Sequence, residues 1–524
     1  MRYGLIMVAL VLQALAVMPV PAAAAQPVEP YEKSIVFAPA GRIDELVLKA
    51  LTERGIAPAG LCSDEVFVRR VHLDVTGTLP RAEHVIAFVK DGRADKRARL
   101  IDDLLKSDAY VDYRTMKWCD LLRVKSEHPI NLWPNGVQAY HQWIRHCVAA
   151  NKPYDQFARD LLTSSGSNFR EPAVNFYRAV QGQGPGALAA AAGLTFMGVR
   201  VEAWPADRRA NLEVFFSRVA FKGTAEWKET IVHLDPAPSG ALDAVLPDGR
   251  KVHIKPGDDP RKAFADWLIT PVNPYFARNL ANRTWAGLMG RGIIHEPDDI
   301  RDNNPPTNPA LLAHLEQELV GARYDLKHLY RLILNSRTYQ QSSIRRSDDP
   351  QARGLFAYYP VRQIEAEVLI DALVGLFGSP EQYESAIPEP FTFVPEYQRT
   401  IALADGSISS SFLELFGRPP RDTGLVSERS SEPTDAQRMH LLNSSHIQKK
   451  IDSSWRLERM RDEARGDRGK LVNSLYLSIL SRRPTDAESA SAKAYFDVAG
   501  VTLQQGTADL AWTLINSKEF LYRH

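Results

Sequence analysis

The chain has 524 residues, 64 Lys and Arg against 63 Asp and Glu, and 44% hydrophobic residues. That length exceeds what one hydrophobic core serves and predicts two or three domains, while the ordinary apolar and charged fractions exclude a disordered chain. The balanced charge removes any general electrostatic reason to bind nucleic acid or an anionic membrane surface.

Residues 1–25 read as a cleavable secretory signal. Arg2 supplies the positive charge, Leu5 to Met18 is apolar apart from Gln13, and Pro19, Pro21 and Ala22 to Ala25 form the small-residue end, with cleavage after Ala25. The apolar run is shorter than the roughly 20 residues a spanning helix needs, so a retained anchor is the weaker alternative. No cysteine follows closely enough for a lipid anchor, and no later segment is apolar enough to span. Removing Arg2 leaves 63 basic and 63 acidic side chains. The mature chain is expected in the periplasm, at the cell surface or outside the cell, with no stable membrane span.

Helical periodicity dominates from Ile43 onward. Ile43, Leu46, Val47, Ala50 and Leu51 fall on one face of a helix that Gly55 ends. The same spacing predicts helices over 82–89, 100–105, 113–124 and 136–150, with Pro153 opening the next one. Gln181 to Gly186 is a glycine-rich break, and 187–197 is apolar enough to be a buried helix. Between Thr230 and Lys255, Ile231, Val232 and Leu234, then Val245 and Leu246, an Asp248-Gly249 turn, and Val252 and Ile254 predict a small β-hairpin. Proline-rich flanks make 236–260 a linker. Helices resume over 261–269, 274–289, 309–320, 326–335 and 362–376. An irregular proline-rich stretch follows over 378–411, and helices return from Asp435 to the end. The fold class is mainly α: a helical domain over 42–235, a linker and hairpin over 236–260, and a second helical domain over 261–524.

Cys62, Cys119 and Cys147 are too few for a disulfide framework, and their spacing matches neither zinc nor redox motifs. One pair could bridge in an oxidising compartment; equally, Cys119 and Cys147 fit apolar helix faces as buried thiols. No CxxCH occurs, so the sequence supports no cofactor and no metal site.

Several long motifs punctuate the chain: Phe67-Val-Arg-Arg-Val-His-Leu-Asp-Val-Thr-Gly-Thr-Leu-Pro80, Asn273-Pro-Tyr-Phe-Ala-Arg-Asn-Leu-Ala-Asn-Arg-Thr-Trp285, Gly290-Arg-Gly-Ile293, Leu334-Asn-Ser-Arg-Thr-Tyr-Gln-Gln341, Phe416-Gly-Arg-Pro-Pro420 and Ser427-Glu-Arg-Ser-Ser-Glu-Pro433. With them, residues 42–524 resemble the paired planctomycete-type domains of unknown function, a planctomycete cytochrome-like domain followed by a planctomycete-specific one. The resemblance implies export and no established activity. It also implies a CxxCH-type haem motif ahead of Trp204, Phe215 and Phe216, but here the preceding segment reads Gly198-Val-Arg-Val-Glu-Ala203. Where relatives carry Cys-x-Cys before Glu428, this chain has Leu425-Val-Ser427. The joint absence predicts that the two segments approach each other in the fold. It also weakens a reading as an electron-transfer protein.

Arg69, Arg70 and Asp74 sit at a helix end before the Thr76-Gly77 turn; they fit an arginine fork for an acidic ligand or, more simply, buried ion pairs that hold the turn. Arg278, Asn282 and Arg283 share a helix face beside Trp285 and could converge with Glu428, Arg429 and Glu432 on a polar site, with Arg337 near a helix end. Such donors suit an anionic or hydroxyl-rich ligand; the alternative is an internal network fastening helices together. The acidic loop His295 to Asp302 matches no EF-hand, and Glu367 and Asp371 offer a carboxylate pair on one helix face. No GxSxG, HExxH, phosphate loop or dinucleotide fingerprint appears in context. The expectation is a binder of a polysaccharide or a surface protein; an enzyme acting on a polysaccharide or its esters is the alternative.

Overall fold

The computed structural model describes residues 26–237, 240–430 and 432–524; the expected signal over 1–25 lies outside them. About 51% of the chain is helical and 6% is strand, the strands forming four small sheets among the described residues. The protein is therefore mainly α. Among the described residues no helix is long and apolar enough to cross a membrane.

Local signals set the helix ends. Ser63 caps the Asp64–Thr76 helix by accepting from Val66 N (3.2 Å), and Asp64 and Glu65 lie in its first turn, where carboxylates meet the helix dipole. Gly77 ends it at φ +61, and the Tyr113 ring lies 2.6 Å from the position a Cβ would take there. Every residue from Val66 to Thr76 is buried, so this helix is a central strut rather than a surface element. It packs against the Asp108–Leu121 helix, which packs in turn on Trp133–Ala149.

The hairpin expected near 230–255 forms in part. Leu242–Val245 and Lys251–Ile254 pair antiparallel around the Asp248-Gly249 turn. Thr230–Leu234, however, pairs with Val219–Gly223 and Gly166–Ser167 in a separate three-stranded sheet. Ala244, Leu246 and Ile254 bury into the larger core, which gathers residues from Ile43 to Tyr359 together with Ala404 and Leu477. A second core runs from Ile364 to Phe520 and takes in Leu73, Tyr113 and Met116 from the two central helices. The packing of buried side chains thus changes core near residue 360.

Arg362 and Gln363, expected in a helix, form a short strand paired with Tyr522–Arg523, and the helix begins only at Ala366. This two-residue pairing carries Arg523 against the central helix. Cys62, Cys119 and Cys147 are all free and buried, so the bridge left open by the sequence does not form.

Candidate functional site

A cleft of about 830 Å³ opens between the two halves. One wall is the Asp108–Leu121 helix; the opposite wall is the Phe276–Met289 helix and the Gly290 to Pro297 loop; residues 361–363, Glu365, 425–427, Arg429 and Glu432 close its floor.

One end is aromatic. Trp118 stacks on Tyr154 with ring centres 5.6 Å apart and tilts against Phe157 at 5.2 Å. Tyr110 and Tyr330 meet edge to face, and Arg114 donates to the Tyr330 hydroxyl (2.7 Å). Trp118 is the half-buried member of this group.

The centre is a ladder of alternating charge. Lys117 Nζ lies 2.6 Å from Glu365 Oε1. Glu365 Oε2 accepts from the Tyr113 hydroxyl (2.5 Å) and from Arg523 (2.6 Å). Arg429 grips both oxygens of Glu367 (2.5 and 2.9 Å) and one of Asp120 (2.7 Å), and Arg421 takes the other Asp120 oxygen (2.9 Å). Burial opposes charge on Glu365, but Arg523, Lys117 and Arg429 outweigh it and hold the carboxyl well below its ordinary range. Burial, followed by the facing Arg429 guanidinium, pushes the Lys117 ammonium down to about 8, against the pull of Glu365 and Asp120. An amine whose proton affinity is lowered to about 8, 27% exposed in a cleft, can exchange protons more readily than an ordinary lysine.

The residues expected to form one polar site divide. Arg283, Arg429 and Glu432 line the cleft. Arg283 is mostly spent, however, donating to Asp298 Oδ1 (2.6 Å) and to the carbonyls of Leu194 (2.8 Å) and Thr195 (2.7 Å). Arg278 turns away to Glu316 (2.8 Å) on the Pro309–Gly321 helix. Asn282 exchanges hydrogen bonds with both backbone groups of Ile294 (2.9 Å each). Glu428 accepts from the amides of Asp422 (2.8 Å) and Thr423 (3.2 Å). Arg337 is not a cleft residue: its amide donates to Asp44 (3.0 Å). Arg278, Asn282, Arg337 and Glu428 therefore fasten local structure.

Arg69 and Arg70 bind backbone rather than a ligand. Arg69 donates to the carbonyls of Ile479 (2.8 Å) and Phe520 (3.0 Å); Arg70 donates to those of Tyr339 (2.6 Å) and Gln341 (2.8 Å) and lies 3.7 Å above the Tyr359 ring. The carboxylate pair on the Ala366–Phe377 helix is likewise engaged: Asp371 accepts from Thr400 N (2.7 Å) and Ile401 N (3.2 Å) while Glu367 serves Arg429. In the acidic loop Asp298 faces Arg283 and Asp299 faces Arg301 (3.1 Å), and no cluster of three or more metal-ligating side chains occurs among the described residues. Sequence patterning missed Lys117, Trp118 and Asp120, which sit within a predicted helix but acquire their role only from residues far along the chain. Arg291 stood inside the Gly290 to Ile293 motif, a signal that could have marked it.

The stretch just ahead of Gly198 and the Leu425 to Ser427 segment are linked through two intervening side chains. Arg283 binds the carbonyls of Leu194 and Thr195 and also Asp298, whose second oxygen accepts from Val426 N (2.5 Å). The residues present do not fit covalent haem. Gly198 has Asn279 Oδ1 2.6 Å from its Cβ position and its carbonyl accepts from Ile300 N (2.9 Å), so the chain is closely packed at that residue, and the segment from it to Ala203 carries neither cysteine nor histidine. Burial pushes the Cys119 thiol up to about 12 and the Cys147 thiol up to about 11, which disfavours the thiolate at both.

Residues 42–201 match the family model PSCyt2, a protein of unknown function (DUF1549), and residues 260–496 match PSD1, a protein of unknown function (DUF1553). No curated protein and no solved structure matches the chain. With the two models in this order over most of its length, the chain belongs to the planctomycete-type family of paired PSCyt2 and PSD1 domains, whose function is unknown.

Proposed function

We propose that the mature protein is exported to the periplasm or cell surface and binds a glycan segment in the cleft between its two halves. The carrying observation is the joining, in one 830 Å³ cleft, of the Trp118 aromatic group with the Lys117–Glu365 and Arg429–Asp120 pairs. A sugar presents C–H faces that suit an aromatic wall and a rim of hydroxyls that suit fixed donors and acceptors. Two family domains contribute opposite walls, so the groove exists only in the paired chain. Calorimetry with neutral and acidic oligosaccharides tests the reading: saturable binding that Trp118→Ala weakens tenfold or more supports it, and no binding across the set opposes it. Export rests on the Leu5 to Met18 run; a periplasmic product beginning at Gln26 is the result it requires.

An enzyme acting on a polysaccharide or its esters is a second reading, favoured by the Lys117 amine, whose proton affinity is lowered to about 8, beside Glu365. It requires release of reducing ends or free acid from a polysaccharide by the wild type, lost in a folded Lys117→Met variant.

A further inference from the structure

We propose that the mouth of the cleft is an oxyanion site in which Arg291 and Arg353, with His295 beside them, seat a sulfate ester or carboxylate of the bound glycan. The carrier of the anion rests on the glycan reading above; the anion site itself does not.

Among the other arginines of the cleft, Arg283 is met by Asp298, Arg362 by Asp74 and Arg429 by Glu367 and Asp120, while the buried Arg114 donates to the Tyr330 hydroxyl and the Asp74 carbonyl. Arg291 and Arg353 differ. Among the described residues neither forms an ion pair, and neither guanidinium donates a hydrogen bond to a protein group. Arg291 Nε is buried and has no partner. Buried guanidinium N–H groups are costly to leave unpaired, and an unpaired one in a cleft is a place for a ligand acceptor. The two arginines also oppose each other: burial and then the Arg353 charge disfavour the Arg291 cation. His295 feels both, since burial and the Arg291 charge lower its affinity for a proton. The one carboxylate acting on the group is Glu296, half exposed and 3.3 Å from His295 Nε2. Two fixed guanidinium charges against one carboxylate leave the mouth cationic.

The pairing is built into the backbone. Gly290 ends the Phe276–Met289 helix at φ +69, and a Cβ on Gly292 would lie 2.2 Å from the Ile294 carbonyl oxygen, so the turn that presents Arg291 needs both glycines. Thr307 ties this turn to the one bearing Arg353: its hydroxyl is within 3.2 Å of the Ile293 carbonyl and 3.0 Å of the Gly354 carbonyl, and its amide donates to Ile293 (2.9 Å). Thr307 thus joins the two turns that carry these arginines, and their guanidinium groups, outnumbering the one carboxylate Glu296, suit the fork geometry by which arginine takes sulfate or carboxylate.

The test uses the full mature chain, wild type and R291A/R353A, with R353A alone as the variant least able to disturb folding because its side chain is exposed. The probes are sodium sulfate at constant ionic strength, a heparin-derived sulfated hexasaccharide, its desulfated form and an oligogalacturonate of equal length. The proposal expects sulfate to raise the wild-type Tm and not that of the double variant. It expects at least one acidic oligosaccharide to bind tenfold or more tighter than the desulfated one, the preferred acid separating sulfate ester from carboxylate, with the preference lost in the double variant and the neutral affinity kept within twofold. Sulfate stabilising the wild type alone, with no oligosaccharide bound, would support the anion site and overturn the glycan reading. Equal response of wild type and variants to sulfate, or acidic and neutral sugars bound equally, would overturn the anion site and leave the glycan reading standing.

Discussion

Arg523 Nη1 lies 3.1 Å from Asp74 Oδ1, joining two residues 449 positions apart. The same carboxylate accepts from Arg362 (2.5 Å), Tyr339 (2.8 Å) and Tyr359 (2.9 Å), so one buried acid in the first half gathers four donors from the second. Removing one member of a buried charge cluster leaves the others desolvated and unpaired. Asp74→Ala should therefore lower stability by about 3–5 kcal/mol in urea unfolding, with both cores lost together. A loss below about 1 kcal/mol would mean that the donors re-pair without it.

Arg283 and Asp298 hold the 425–430 segment to the Phe276–Met289 helix through Val426 N. Asp298→Asn should cost about 2–3 kcal/mol, the scale of a buried charged hydrogen bond left unmet. It should also raise amide exchange across 425–430 while leaving the Asp64–Thr76 helix protected. Uniform exchange throughout the chain would contradict this local role.

Much of the fold is legible because its causes are local. Gly55 after the Arg42–Thr52 helix, Pro153 before the Tyr154–Thr163 helix and the Asp248-Gly249 turn act within a few residues of themselves. Core membership is not local. Proline and glycine content marks 236–260 as a junction, yet its apolar side chains bury into the first core, and the packing changes only near residue 360. Likewise the spacing of Arg278 and Arg283 puts them near one helix face, but the helix packs on two sides, so one turns to Glu316 and the other to Asp298. Lys117 reads as an ordinary polar position of an amphipathic helix; only Glu365, 248 residues on, makes it distinctive.

Lys117 supplies a pH prediction. Its folded amine loses a proton near 8, against 10.5 for an unperturbed lysine. Between these values the unfolded chain holds more protons, so this group's contribution to stability rises with pH, is complete above 10.5 and is lost as pH falls to 8. NMR titration of ¹³C-methylated lysines should show one resonance with its midpoint near 8. Removing the attractive carboxylate by Glu365→Gln should move that midpoint lower; an upward shift would contradict the assigned partners.

His72 makes an acid-side prediction. Burial pushes its imidazole down to about 4, and its Nδ1 donates to the Val68 carbonyl (2.7 Å), so it folds neutral. The unfolded histidine binds a proton below about 6.5. This stability is therefore present above 6.5 and is lost as pH falls towards 4, by up to about 3 kcal/mol at 1.36 kcal/mol per unit. The urea midpoint of the wild type should fall across that window, and His72→Gln should flatten the fall. An unchanged slope would assign the acid sensitivity to other groups.

Calorimetric titration of oligosaccharides into the mature protein, wild type beside a Trp118→Ala variant whose fold is verified by circular dichroism, tests the cleft most directly. The account predicts saturable one-site binding to the wild type, weakened at least tenfold by the substitution, an effect within the range of a lost aromatic stacking surface. Binding of equal strength to both proteins would place the ligand elsewhere, and no binding of neutral or acidic sugars to the wild type would contradict the account.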